Sequence, residues 1–125
     1  MITWREAVFA GDLVMISGQF GVGNGPAGPG PVFDVARTRE ERVAAQTGHA
    51  LKNIVAVLTA NGLTVSDVVK CTVSLASADD YKAMNEEYAK VFHTNPPART
   101  TVAVQLLLPH ALVEIDCVAY RGRKS

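Results

Sequence analysis

Asn95-Pro96-Pro97-Ala98-Arg99-Thr100-Thr101-Val102-Ala103-Val104 leads, after a short turn, into Val113-Glu114-Ile115-Asp116-Cys117. The two stretches predict strands over residues 100–107 and 112–120, joined at Leu108-Pro109-His110. In the first strand Val102, Val104 and Leu106 fall on one side. Thr101, Ala103, Gln105 and Leu107 fall on the other. A sheet that is apolar on both faces needs two covers.

Upstream segments supply one of them. Leu13-Val14-Met15-Ile16, bounded by Gly11-Asp12 and Ser17-Gly18, predicts a buried strand, and Glu6 to Ala10 predicts its hairpin partner. Thr38-Arg39-Glu40-Glu41 fits a capping box. From there Val43, Thr47, Ala50, Ile54, Val57 and Leu58 recur at helical spacing, and Gly62 follows as a C′ residue. Val69, Cys71, Val73 and Leu75 alternate with polar neighbours as in a half-buried strand. Ser77 offers a second N-cap. Tyr81, Met84, Tyr88 and Val91 mark a short amphipathic helix that ends at Asn95-Pro96-Pro97. The order is ββαβαββ, an α+β layer with both helices on one face of the sheet. With no further segment to cover the second face, a second copy of the chain is the economical cover, so a homo-oligomer is expected.

Composition narrows the class. At 125 residues the chain is expected to be one domain, 1–125, with a core that needs neither disulfide nor metal. It is 48% hydrophobic with formal net charge zero, which argues against disorder and against a protein built to neutralise many phosphates. The tail Arg121-Gly122-Arg123-Lys124 reads as a solvated terminus or, less well, as an anion contact. No signal-peptide pattern or membrane-length apolar run is present, so a cytoplasmic location and no membrane partner are expected. Cys71 and Cys117 each fall inside a strand and read as small core residues.

Few motifs carry chemistry. Gly23-Asn24-Gly25-Pro26-Ala27-Gly28 is formally GxGxxG, but Pro29 and Pro31 follow where a dinucleotide site needs a helix. Residues 21–31 therefore read as a mobile loop. No spacing supports a metal site, and no serine or cysteine sits in a nucleophile motif. His49 reads as a polar-face residue of the long helix. His93 follows the second helix and His110 lies in a turn. Three charged residues stand out. Lys70 and Glu114 are out of phase with their apolar neighbours, and Arg99 shares parity with Thr101. All three are expected to point away from the helices. A buried charge there must be paired or functional. Spacing alone favours an interface ion pair of Lys70 or Arg99 with Glu114. The other reading is a site for a small carboxylate, gripped by the Arg99 fork, with Glu114 handling a proton.

Taken together and in order, several pieces resemble the RidA family of enamine/imine deaminases, also called YjgF/UK114 or L-PSP. They are Leu13 to Gln19, Val43 to Thr47 with Leu51 to Ile54, Asp67 to Val73, Met84 to Tyr88, Pro97 to Thr100 and Val113 to Ile115. The similarity runs over nearly the whole chain. It implies a chorismate-mutase-like fold and a homotrimer with three inter-subunit clefts. It also implies hydrolysis of imines of the 2-iminopropanoate and 2-iminobutanoate type to 2-oxo acids and ammonia, with no cofactor. On the resemblance, Arg99 grips the substrate carboxylate and Glu114 holds the attacking water. Ser17 and Gly18 line the cleft through their backbone, with Asn85 and Lys70 beside it. Trp4 stands where many members carry tyrosine, and Thr101 where many carry cysteine. The residue 21–31 segment is longer than the usual connection. A non-catalytic trimer that binds 2-oxo acids is the second reading. A ribonuclease ranks last, because net charge is zero and no histidine pair is apparent.

Overall fold

The computed structural model describes residues 1–122. Seven main elements follow the expected order. They are β1 (Ala7–Ala10), β2 (Leu13–Phe20), α1 (Arg39–Ala60), β5 (Val68–Leu75), α2 (Tyr81–Val91), β6 (Ala98–Ala103) and β7 (Val113–Tyr120). Between β2 and α1 lies a two-stranded ribbon, β3 (Asn24–Gly25) with β4 (Gly28–Pro29). The segment read as a plain loop is therefore partly structured. Asn53 of α1 pins it. Ala27 N–H donates to Asn53 Oδ1 of α1 at 3.0 Å, and Gly25 packs so closely on Asn53 that a Cβ there would lie 2.6 Å from the amide.

The five-stranded sheet has the order β1-β2-β7-β5-β6. All its pairings are antiparallel except β5 with β6, whose parallel pairing requires the α2 crossover between them. The edge strand β6 ends at Ala103, short of the expected Leu107. Its only neighbour β5 stops at Leu75, and one last bond runs from Val104 N–H to Leu75 O at 2.8 Å. Beyond that point no strand among the described residues pairs with it.

Helix α1 opens as its sequence dictates. Thr38 accepts from Glu41 N–H, and the Glu41 carboxylate accepts from Thr38 N–H. Its face of Val43, Thr47, Ala50, Leu51, Ile54, Val57 and Leu58 is buried, sharing one core with Val14, Ile16, Val73, Ile115 and Cys117 from the sheet. Each such aliphatic side chain contributes roughly 1.5–3 kcal/mol on burial. Arg39 and buried Asp80 form a two-point ion pair, at 2.8 and 2.9 Å, that ties the start of α1 to the start of α2. Cys71 and Cys117 face each other across β5 and β7 in the core, as free thiols with sulfurs 2.8 Å apart.

His49 departs from the sequence reading. It is 8% exposed, not a polar-face residue, because the loop carrying Gly30 folds over that flank of α1. Burial, reinforced by nearby Lys52, lowers its pKa.

The helices leave the opposite sheet face open. Leu13, Met15, Val102 and Tyr120 lie on that face and are 41, 44, 39 and 37% exposed. Arg121 does not hang free. Its guanidinium lies 4.1 Å over the Phe9 ring and Nε donates to Gly11 O. Arg123 and Lys124 lie outside the described residues. Among the described residues no helix is long and apolar enough to cross a membrane.

Candidate functional site

Strand register decides which of the expected site residues meet. Paired residues on neighbouring strands share a sheet face, and residues an odd number apart along a strand do not. Ser74 pairs with Glu114 on one side and Val102 on the other. Cys71 pairs with Cys117 and with Arg99. Cys71 is in the core, so Arg99 starts from the helix-covered face, while Glu114 projects from the open face. The expectation that Arg99 points away from the helices is thus corrected. Lys70 does lie on the open face, where its ammonium donates to Thr100 Oγ1 at 2.7 Å. Thr101 shares the face of Arg99.

The residues accordingly fall into two groups. Trp4, Ser17, Gly18 and Glu114 line one cleft of about 500 Å³, whose other wall is the loop of Gly23, Asn24 and Gly25. This cleft is built around an irregularity in β2. The pairing of β2 with β7 slips between Ile16 and Gln19, which leaves Ser17 and Gly18 unpaired with β7. At Gly18 a Cβ would sit 2.3 Å from Glu114 Oε2, so only glycine lets the carboxylate rest there. Ser17 is held to the segment before β1. Its N–H donates to Glu6 O at 2.9 Å and its hydroxyl donates to Arg5 O. Buried Gln19 donates to Glu6 Oε1 at 3.3 Å. Burial raises the Glu114 pKa above the ordinary 4.5, and the like charge of Asp116 raises it further. Asp116 is itself raised by burial, with Lys70 pulling the other way.

The second group surrounds Arg99. Nη1 donates to Asn85 Oδ1 at 2.8 Å, and Nη2 donates to the Tyr81 hydroxyl at 2.8 Å. The guanidinium carbon stands 4.6 Å from the centre of the Tyr88 ring and 5.5 Å from that of Tyr81. Tyr81, Asn85 and Tyr88 are spaced i, i+4, i+7, one stripe of α2. Among the described residues Arg99 makes no ion pair, and neither does Glu114. Within one copy, and among the described residues, neither Arg99 nor Lys70 pairs with Glu114.

Sequence reading found Asn85 but missed Tyr81 and Tyr88 as its companions, and missed Glu6, Gln19 and Asn53 around the cleft. The helical stripe of α2 was visible. That it would lie over Arg99 depends on β6 docking parallel to β5, which no local pattern encodes.

A family model described as Endoribonuclease L-PSP matches residues 1–121. A curated relative named Reactive Intermediate Deaminase A, chloroplastic, from Arabidopsis thaliana is 37% identical over 116 residues, 93% of this chain and 57% of that protein. The chain thus spans little more than half of this plant relative. A 2-iminobutanoate/2-iminopropanoate deaminase from Capra hircus is 34% identical over 121 residues, 95% of this chain and 80% of that one. Among solved structures, E. coli TdcF with bound serine superposes with a TM-score of 0.80 at 29% identity, covering 98% of this chain and 91% of that one. Matched nearly end to end by the family model and by relatives above 30% identity, the chain belongs to the RidA (YjgF/UK114, L-PSP) family.

Proposed function

We propose that this protein hydrolyses small imines that carry a carboxylate, giving 2-oxo acids and ammonia, in clefts formed between copies of the chain. The observation that carries the reading is Arg99, a fixed cationic fork held, among the described residues, by neutral acceptors and rings. Such a cation is matched by a ligand carboxylate. The names of the goat and plant relatives support the reaction class.

The opposite faces of Arg99 and Glu114 support a shared site. One copy would contribute Glu114 with Ser17, Gly18 and Trp4. A second would contribute Arg99 with Asn85 and Thr101. Lys70 would lie beside the junction. The open apolar sheet face supports association, and a closed homotrimer repeats one such contact three times.

In the reaction, Arg99 binds the carboxylate of the imino acid; an enamine substrate first tautomerises to the imine. Glu114, ionised, orients a water against the imine carbon and takes its proton. The carbon–oxygen bond forms as the C=N π pair moves onto nitrogen. Glu114 returns the proton to that nitrogen. Glu114 then takes the proton of the newly formed hydroxyl and passes it to the amino nitrogen. The O–H pair becomes the carbonyl π bond as the carbon–nitrogen bond breaks, releasing ammonia and leaving the 2-oxo acid. The residues need no cofactor for these steps.

Arg99→Ala is expected to abolish ammonia release from 2-iminopropanoate while circular dichroism stays unchanged. Full activity in that variant would sink the reading. A second reading is a trimer that binds 2-oxo acids without turnover, for which the Arg99 fork and its neutral partners suffice. Calorimetry with 2-oxobutanoate beside an ammonia-release assay separates the two.

A further inference from the structure

The three partners of Arg99 are not equivalent. Asn85 Oδ1 is purely an acceptor, and Tyr88 offers a ring face. Tyr81 offers a hydroxyl, which can accept and donate at once. Its oxygen accepts from Arg99 Nη2 at 2.8 Å, so its own proton is left to donate elsewhere. The side chain is not sealed in the core. Tyr81 is 46% exposed, whereas Tyr88, seven residues on, is 5% exposed. A guanidinium carries five N–H donors. Asn85 and Tyr81 occupy one on each terminal nitrogen, which leaves Nε–H and one N–H on each terminal nitrogen for a ligand.

We propose that Tyr81 is a substrate-binding residue whose hydroxyl, fixed by Arg99, donates its proton to the same carboxylate that Arg99 grips. The carboxylate then receives a bidentate pair from Arg99 and a third bond from a neutral donor. A carboxylate has lone pairs for all three. The arrangement selects ligands with a free, unsubstituted carboxylate, because a carboxamide places N–H groups against donors. This deepens the deaminase reading and rests on it for the identity of the ligand.

The contact is with a part of the substrate that does not react, so removing it weakens substrate and transition state alike. Tyr81→Phe keeps the ring and removes only the hydroxyl. Hydrogen bonds to charged groups are worth roughly 1.5–3 kcal/mol, so loss of this one is expected to raise the Kd for 2-oxobutanoate about tenfold or more. KM for 2-iminopropanoate should rise by the same factor, with kcat within about twofold of wild type. An unchanged Kd and KM would overturn the proposal. So would a fall in kcat at constant KM, which marks a residue that only positions Arg99. A wild type that binds 2-oxobutanoate but releases no ammonia, with Tyr81→Phe still binding tenfold more weakly, keeps the Tyr81 contact and removes the deaminase reading. A wild type that binds no 2-oxo acid removes both.

Discussion

The Glu114 cleft and the Arg99 cluster each position one central charge, by opposite means. Around Glu114 the shaping is done by backbone: a slipped strand, a glycine without room for a Cβ, and a loop pinned by Asn53. Around Arg99 it is done by side chains, three from one helical stripe. The burial consequences differ too. Burial pushes the carboxylate toward its neutral form, while the guanidinium meets neutral acceptors. A backbone-built half tolerates little change at its glycine. A side-chain-built half can be tuned one atom at a time.

The sharpest way to break this division is to separate the halves. Arg99→Ala and Glu114→Ala are each expected to be inactive alone. Unfolded and refolded together at equal amounts, they should regain about a quarter of wild-type activity, because random assembly of the proposed closed trimer re-forms that share of intact clefts. No recovery would mean that both residues serve one site within a single chain.

Next in size is Gly18→Ala. Its methyl would meet Glu114 Oε2 at 2.3 Å, so the carboxylate must move. Relieving the contact shifts the carboxylate by about 1 Å, and a misplacement of that size is expected to lower kcat about 100-fold. The affinity for 2-oxobutanoate should hold, since the Arg99 half is untouched. An equal loss of affinity would show that the halves are coupled.

The pH profile sharpens the same contrast. Glu114 must be ionised to take a proton, and burial with Asp116 raises its pKa, so activity should fall as pH drops through a value above 4.5. Asp116→Asn removes the like charge and should move this acid limb to lower pH. Steady-state rates from pH 4 to 8 would check the direction. A limb that moves upward would assign it to another group.

The smallest effect is on stability. Asn53 donates to Phe20 O at 3.3 Å and accepts from Ala27 N–H at 3.0 Å. Asn53→Ala leaves both without that partner, and a loss of about 1–3 kcal/mol in urea unfolding is expected. Turnover per folded chain should fall as the cleft wall loosens.

What the residues announced in advance was whatever local chemistry encodes. Thr38 and Glu41 declared the start of α1 through their reciprocal bonds, and Cys71, Val73 and Leu75 declared a core face by alternation. Val69, read as part of that face, is exposed instead, because the pairing of β5 with β7 slips between Val68 and Lys70 and Val68 takes the core position. The side taken by Arg99 was beyond such reading. Parity relates Arg99 to Thr101 within one strand, but only its pairing with Cys71 fixes the face, and that pairing spans a helix and a loop. His49 was misread for a related reason. Helical periodicity describes a helix facing a sheet, not a loop that folds back over its flank. The length of β6 was set by the end of β5, not by its own apolar run.

The division of the charges between two sheet faces also bears on how the protein behaves when diluted. If each cleft is completed by a neighbour, specific activity is a property of the assembly and follows mass action. Turnover per chain would rise steeply with concentration and level off once association is complete. A dilute assay would report an inert protein, and added 2-oxo acid, by bridging Arg99 of one copy to the cleft of the next, would hold the copies together.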